Sequence, residues 1–321
     1  MKKNYFSGKI ECKVTDRKWL VIVNPNAGGR RGEHEWPGIR KLLQNEGFLF
    51  DPVLTEAPMH AVSLAQEGVA RGYRDIIAVG GDGTLNEVAN GVLHQQKVPA
   101  TEINLGMITV GTGNDWARMF SVPSGFTGAI RVLKEKKTRL QDVCRVTFGS
   151  NGSTGERFFV NLAGIGFDAE VVKRTNREKM KGHSNSMIYL WYLLTTLFYY
   201  RSTRLQIIAE ERERKGEYFD ISIGIGKYNG GGMMTVPYAI ADDGLLDVTL
   251  IRKIGKWEVI RSLPLLFNGK IGQNKKVEIF RTRSIEITSD PPVNLEADGE
   301  ALGTSPFRFE IVPSALRVIV P

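Results

Sequence analysis

The sequence predicts an α/β N-terminal domain with a parallel sheet, followed by a predominantly antiparallel β-sandwich C-terminal domain. Three observations carry that expectation. Apolar runs and helical spacings alternate through the first half of the chain. Strand-like runs then crowd together beyond Leu140, and the glycine clusters of the first half each follow a strand-like run. A chain of 321 residues is long for one domain, which agrees with two. The expected boundaries are residues 1–142, joined by a C-terminal return at 307–321, and residues 143–306.

In chain order, Trp19–Val23 is a short apolar run that ends in NPNAGG. Gly32–Glu46 has helical spacing, Phe48–Leu54 reads as a strand and Met59–Arg71 as a helix. Asp75–Val79 is a β-branched strand that stops at Gly80-Gly81, and a helix is expected from Thr84. Asn104–Thr109 is a strand that ends in GTGN, before a helix through Trp116–Phe120. Strands separated by helices of this length argue for parallel β-α-β units, whose ligands bind beyond the carboxyl ends of the strands. All three glycine-rich segments lie there.

Strands are then expected at Arg157–Asn161, Thr203–Glu210, Tyr218–Ile225, Leu246–Ile251, Lys276–Phe280, Ser284–Thr288 and Val293–Glu296. Helical stretches around Phe167–Lys181, Ser186–Tyr200 and Lys256–Phe267 interrupt them. This spacing points to an antiparallel sandwich. Phe307–Val312 and Leu316–Val320 read as two final strands that return to the first domain.

Composition narrows the function. With 42% hydrophobic and 24% charged residues the chain is an ordinary globular protein. Its net charge of +8 suits nucleic acid, an anionic membrane face or phosphorylated ligands. No basic run alternates with stacking aromatics, so nucleic acid is not the expected partner. Cys12 and Cys144 make no disulfide framework, and His34, His60, His94 and His183 share no metal-ligand spacing. The N-terminus MKKNYFSGKIECKVTDRK lacks the apolar stretch of a signal peptide, so a reducing, cytoplasmic location is expected. The apolar run Ile188–Tyr200 is too short to span ~30 Å of hydrocarbon. It reads either as a buried helix or as a surface that touches lipid. Lys173, Arg174, Arg177, Lys179 and Lys181 precede it, as a solvated helix face or a membrane-binding one.

Chemistry concentrates in the loops. In Ile76–Gly91 a buried strand meets two glycines, and Thr84-Leu85-Asn86-Glu87 has capping-box spacing for the next helix. Free amides at that terminus favour a phosphate. The segment is neither a Walker A loop nor a dinucleotide fingerprint. Asp82 among such groups would repel phosphate unless a metal lay between them. The loop Ile108–Arg118 repeats the logic with Thr112, Asn114 and a second carboxylate, Asp115, and Val21–Gly29 supplies a third loop. Three such loops on one rim make a nucleotide–metal site. Asp242-Asp243-Gly244 is a hairpin signal with a hard-cation alternative. In Asn294–Gly303, Asp298 and Glu300 flank a glycine and are carboxylates suited to accept a hydroxyl proton.

Together NPNAGG, GGDGTLNEV, GTGND, GGGM…DDGLLDV and DGE resemble, in order, the diacylglycerol kinase catalytic family, which includes bacterial soluble lipid kinases and the sphingosine and ceramide kinases. The resemblance spans nearly the whole chain. It implies an NAD-kinase-like α/β domain, with ATP in the cleft before a β-sandwich. It implies that Asn24, Pro25, Asn26, Ala27, Gly28, Thr55, Gly81, Asp82, Gly83, Thr84, Leu85, Asn86, Glu87 and Thr112 line the nucleotide site, with Lys181 near the phosphates. Asp82, Asp115 and Asp243 would organise a magnesium–water network, and main-chain oxygens of Ala241, Gly244 and Leu246 a structural magnesium. Glu300 matches the general base, with Asp298 beside it and Asp82 as a further catalytic carboxylate. The implied reaction is ATP-dependent phosphorylation of a membrane lipid hydroxyl, diacylglycerol to phosphatidic acid being the first expectation. The enzyme would then touch an anionic membrane peripherally. Edge strands permit a homodimer. The alternatives are an NAD-kinase-like nucleotide kinase and an inactive nucleotide- or lipid-binding regulator.

Overall fold

The computed structural model describes residues 18–150, 152–180 and 186–321. Its first half runs β1 (Trp19–Val23), α1 (Ala27–Asn45), β2 (Phe50–Leu54), α2 (His60–Ala70), β3 (Asp75–Gly80), α3 (Asp82–His94), β4 (Asn104–Thr109), α4 (Asp115–Met119) and α5 (Phe126–Glu135). The strands lie in the order β2-β1-β3-β4, and each neighbouring pair is parallel. β1 and β3 are buried at every position. That is why they read as unbroken apolar runs: a strand covered on both faces has no solvent side to mark with polar residues.

The second half comprises β5 (Thr138–Ser150), β6 (Ser153–Phe159), β7 (Leu162–Gly166), α6 (Phe167–Met180), α7 (Ser186–Tyr199), β8 (Thr203–Ala209), β9 (Arg212–Gly224), β10 (Tyr228–Asn229), β11 (Met233–Met234), β12 (Leu246–Arg252), α8 (Lys256–Phe267), β13 (Val277–Thr282), β14 (Ser284–Ser289), β15 (Asn294–Ala297) and β16 (Glu300–Ile319). Its strands pair antiparallel. The long strands β9 and β16 each change partners along their length, so the ladder β9-β8-β14-β16-β15-β7 closes back on β9. Strands that switch sheets in this way make the corners of packed β layers. Inside the circuit lies an apolar core that includes Val146, Ile165, Ile207, Ile221, Ile287, Leu295 and Phe309. A separate core under the parallel strands includes Leu20, Ile22, Leu64, Ile77, Val88 and Ile108.

The two expected final strands are one. β16 is continuous, with a register shift between Val312 and Leu316, and its residues Arg317 and Val318 pair parallel with β4. β5 and α5 were not foreseen. In β5 the run Gln141-Asp142 looks like a loop, yet both residues are buried. Gln141 accepts the Trp116 indole N–H, and Asp142 accepts the Gly244 and Ser314 amides. Satisfied polar groups are tolerated inside, so they hide a strand from a hydrophobic pattern.

Candidate active site

Parallel pairing puts the ends of β1, β3 and β4 on one rim, and short contacts lock their loops together. The Asn24 amide donates to Val79 O at 2.9 Å, and the Val110 amide to Gly80 O at 2.8 Å. Asn24 Nδ2 donates to Thr84 Oγ1 at 3.0 Å, while Asn24 Oδ1 accepts the Asn26 amide. A Cβ on Gly111 would lie 2.5 Å from Gly81 Cα, and one on Gly28 would lie 2.4 Å from Val110 O, with Gly28 at φ +61°. Neither position has room for a side chain. Thr55, buried after β2, donates its amide to Val23 O. The structure therefore gathers Asn24–Gly28, Thr55, Gly81–Thr84 and Thr112 at one rim.

α3 starts at Asp82, after Gly81, with no side chain capping its N-terminus. The expected capping box is absent. Thr84 bonds Asn24, and Glu87 instead accepts the Met59 and Ala61 amides at 2.9 and 3.2 Å, so it caps α2. Leu85 packs into the core beneath the parallel strands. Asn86 is buried and turned the other way: it donates to Asp298 and Phe158 O and accepts from Arg157 and Asn90. The side chains of Leu85, Asn86 and Glu87 thus hold the frame of the loop and do not line its open face. What α3 offers there is uncapped backbone N–H groups and the positive end of its dipole.

Asp82 and Asp115 converge. A Cβ on Gly113 would stand 3.2 Å from an oxygen of each carboxylate. Asp82 Oδ1 accepts the Trp116 amide, and Asp115 Oδ2 accepts the Gly231 amide at 2.8 Å. Asp115 Oδ1 is buried without a hydrogen bond, and the Arg118 guanidinium stands 3.7 Å away. Burial first, then the charge of Asp82, pushes Asp115 up to about 6. Burial also raises Asp82, against the backbone amides that favour its charge. Two carboxylates that resist charging side by side, one with an unused buried oxygen, are a donor set that fits a hard cation.

Asp243 does not join them. Its carboxylate accepts the Leu245 amide and faces Arg281 at 3.4 Å. Ala241 O accepts the Asp142 amide, and the Gly244 amide donates to Asp142, which pins this turn to β5. Among the described residues no three His, Cys, Asp or Glu side chains form a metal cluster. Of the three expected carboxylates, Asp82 and Asp115 share the space around Gly113, while Asp243 is engaged by the Leu245 amide and Arg281. Lys181 lies outside the described residues.

Glu300 reaches the rim from the far half of the chain. Asp298 and Gly299, at φ +47° and +82°, form the tight turn between β15 and β16. The turn places Glu300 Oε1 3.1 Å from where a Cβ of Gly83 would sit, at the start of α3. Asp298 behaves differently. One oxygen accepts Asn86 Nδ2 and the Val160 amide at 2.7 and 2.9 Å; the other accepts the Asn161 and Leu162 amides at 3.1 and 3.0 Å. With four donors in place it anchors the turn, and the exposed Glu300 is the carboxylate left facing the loop.

Sequence reasoning missed a second carboxylate cluster. Asp168, Asp220 and Glu296 come together from α6, β9 and β15. The Asp168 amide donates to Asp220, and a Cβ on Gly164 would lie 2.8 Å from Asp168 Oδ2 and 2.9 Å from Glu296 Oε1. Burial raises all three, and the Asp168 charge raises Asp220 and Glu296 further, while hydrogen bonds from Asn229 and to Glu296 hold Asp168 down. Asp168 and Asp220 stand at the polar end of an apolar cleft lined by Phe167, Val171, Leu197, Phe219, Ile251 and Leu263, with Asn229 donating to Asp168. Glu296 accepts the Gly299 amide, and α6 touches the same turn through Asn176 Nδ2 and Gly299 O. Asp168 at the polar end of the cleft is thus linked through Glu296 to the turn that carries Glu300.

Two family models match in tandem. The diacylglycerol kinase catalytic domain covers residues 18–146, and the YegS C-terminal NAD kinase beta sandwich-like domain covers 161–320. A relative from Xanthomonas oryzae pv. oryzae (strain MAFF 311018), named "Probable lipid kinase YegS-like", is 30% identical over 307 residues, 94% of this chain and 96% of its own length. The chain belongs to the YegS-like lipid kinases of the diacylglycerol kinase catalytic family. A similarly named relative from Pseudomonas syringae pv. syringae (strain B728a) is 31% identical, over 96% of this chain and 95% of its own. Among solved structures, a Bacillus anthracis str. Sterne diacylglycerol kinase superposes with a TM-score of 0.71 at 22% identity, over 96% of this chain and 98% of that one. Yeast NADH kinase superposes at 0.55 and 11%, over 96% and 84%, and shares the fold. Along this YegS-like chain the glycine rim and Asp82–Asp115 fall in the catalytic-domain match. Glu300 and the apolar cleft fall in the C-terminal one.

Proposed function

We propose that this YegS-like chain transfers the γ-phosphate of ATP to the hydroxyl of a membrane lipid, with diacylglycerol as acceptor and phosphatidic acid as product. The reading is carried by one juxtaposition: Glu300 stands over Gly83 at the uncapped start of α3, with Asp82 and Asp115 grouped around Gly113 on the same rim. Phosphoryl transfer asks for positioning and charge neutralisation more than covalent help. The rim amides and the α3 terminus hold the phosphates. Asp82 and Asp115 would hold magnesium, which neutralises phosphate charge when bound. Glu300 takes the proton from the attacking hydroxyl. The apolar cleft receives the acyl chains, and its polar end aligns the headgroup toward Glu300.

The test offers γ-labelled ATP and magnesium with diacylglycerol, monoacylglycerol, phosphatidylglycerol and a sphingoid base in mixed micelles, and NAD in parallel. Label on diacylglycerol above the other lipids is the expected result. Label on another lipid keeps the kinase and changes its acceptor. Label on NAD, or ATP binding without any labelled product, overturns the proposal.

A further inference from the structure

α7 and α8 both wall the apolar cleft, through Leu193, Leu194 and Leu197 on one helix and Val259, Leu263 and Leu266 on the other. Each also turns apolar side chains to water. On α7, Trp191, Leu194 and Phe198 recur at spacings of three and four residues, so they share one helix face. Their exposures are 65%, 37% and 55%, and the adjacent Tyr199 reaches 77%. On α8, Trp257 is 74% exposed and Phe267 60%. The helices meet where Lys256 donates to Phe198 O and sets its ammonium 5.6 Å from that ring's centroid. Trp257, the next residue along α8, puts a further exposed ring at this junction.

Water-facing rings of this size on neighbouring elements mark a partner surface. Charge says which partner. Lys256 and Arg261 on α8, and Arg201 just past α7, are exposed and have no carboxylate partner among the described residues, while Glu258 on α8 is already paired with Lys276 at 2.6 Å. Tryptophan, tyrosine and unpaired cations beside aliphatic groups match the headgroup zone of an anionic bilayer. No described helix is long and apolar enough to cross a membrane.

We infer that the outer faces of α7 and α8 dock the enzyme on an anionic lipid bilayer and hold the cleft against the membrane. The inference rests on the lipid-kinase reading for its purpose and on the exposed rings and cations for its location. A lipid then leaves the bilayer for the cleft without its chains crossing water.

The experiment measures flotation of the full-length protein with zwitterionic vesicles and with vesicles doped with phosphatidylglycerol. It compares wild type, the triple variant Trp191→Ser/Phe198→Ser/Trp257→Ser, and Lys256→Glu/Arg261→Glu. Each ring withdrawn from lipid weakens partitioning by about tenfold. Each cation contributes about fivefold, on anionic vesicles only. The expected result is loss of flotation in the triple variant on both vesicle types, and in the charge variant on the doped ones alone. Phosphorylation of a water-soluble short-chain diacylglycerol stays near the wild-type rate in both. Variants that float like wild type overturn the surface. So does a wild type that ignores vesicles but self-associates through the rings, seen as a monomeric triple variant in sedimentation. Flotation that follows the expected pattern while no lipid is phosphorylated supports the surface and sinks only the kinase reading.

Discussion

Asp298→Ala separates an anchoring carboxylate from a catalytic one. The substitution leaves Asn86 Nδ2 and the amides of Val160, Asn161 and Leu162 without an acceptor, in a site where Asp298 itself is only 6% exposed. At about 1–3 kcal/mol for each abandoned donor, the gross loss is roughly 8 kcal/mol. Burial offsets part of it. Desolvation pushes Asp298 up to about 6 from 3.8, so its charge at neutral pH is held at roughly 3 kcal/mol, which the variant no longer bears. The net expectation is a loss of about 5 kcal/mol, a large share of a typical domain's stability. The sign with pH follows from the raised value. The wild type is relatively most stable below about pH 4, where the carboxyl is protonated in both states, and loses this contribution as pH rises through about 6. The variant lacks that slope, so the penalty is larger at pH 4 than at pH 8. Urea unfolding followed by tryptophan fluorescence at both pH values reads the difference. A variant as stable as wild type that has lost only transfer would refute the anchor and return Asp298 to the chemistry.

Glu300→Gln, at the exposed end of the same turn, should keep the wild-type urea midpoint and ATP affinity and lose transfer by about a hundredfold or more; normal transfer would remove Glu300 as the base. Asp82→Ala should abolish ATP turnover in a protein that still folds, since leaving the Trp116 amide without its acceptor costs about 1–3 kcal/mol while the burial cost of the Asp82 charge is relieved; retained turnover would dissolve the Asp82–Asp115 assignment. Glu87→Ala should cost about 1–2 kcal/mol by uncapping α2 and leave ATP binding intact, which calorimetric titration checks against the denaturation curve. Burial raises Asp168, Asp220 and Glu296, and the Asp168 charge raises the latter two further, so stability should fall as pH climbs from about 4, where unfolded carboxyls ionise, through their higher folded values. Asp220→Asn should flatten that fall and raise the melting temperature at alkaline pH; an unchanged slope would mean the cluster does not hold its protons.

The elements legible in advance were those whose signal is local. A buried parallel strand announces itself by an unbroken apolar run, and glycines where an added Cβ would meet another backbone at 2.5 Å or less cannot be replaced, so the three rim loops stood out together. What stayed hidden depends on partners distant in sequence. Glu87 had the spacing to cap its own helix, but the amides it accepts belong to residues 59 and 61, which no local pattern ties to it. Asp243 lay in the same kind of acidic, glycine-bearing turn as Asp82, yet the fold gives it Arg281 as a partner, which no local pattern shows. Asp168, Asp220 and Glu296 sit in three different elements and meet only because β9 and β15 both flank β7. The same logic explains why Asp298 and Glu300 looked alike. Two carboxylates one residue apart share a sequence context, but the left-handed turn at Asp298-Gly299 sends one into four hydrogen bonds and the other out over Gly83. Their roles are divided by backbone geometry, and that is why stability and transfer should respond to them separately.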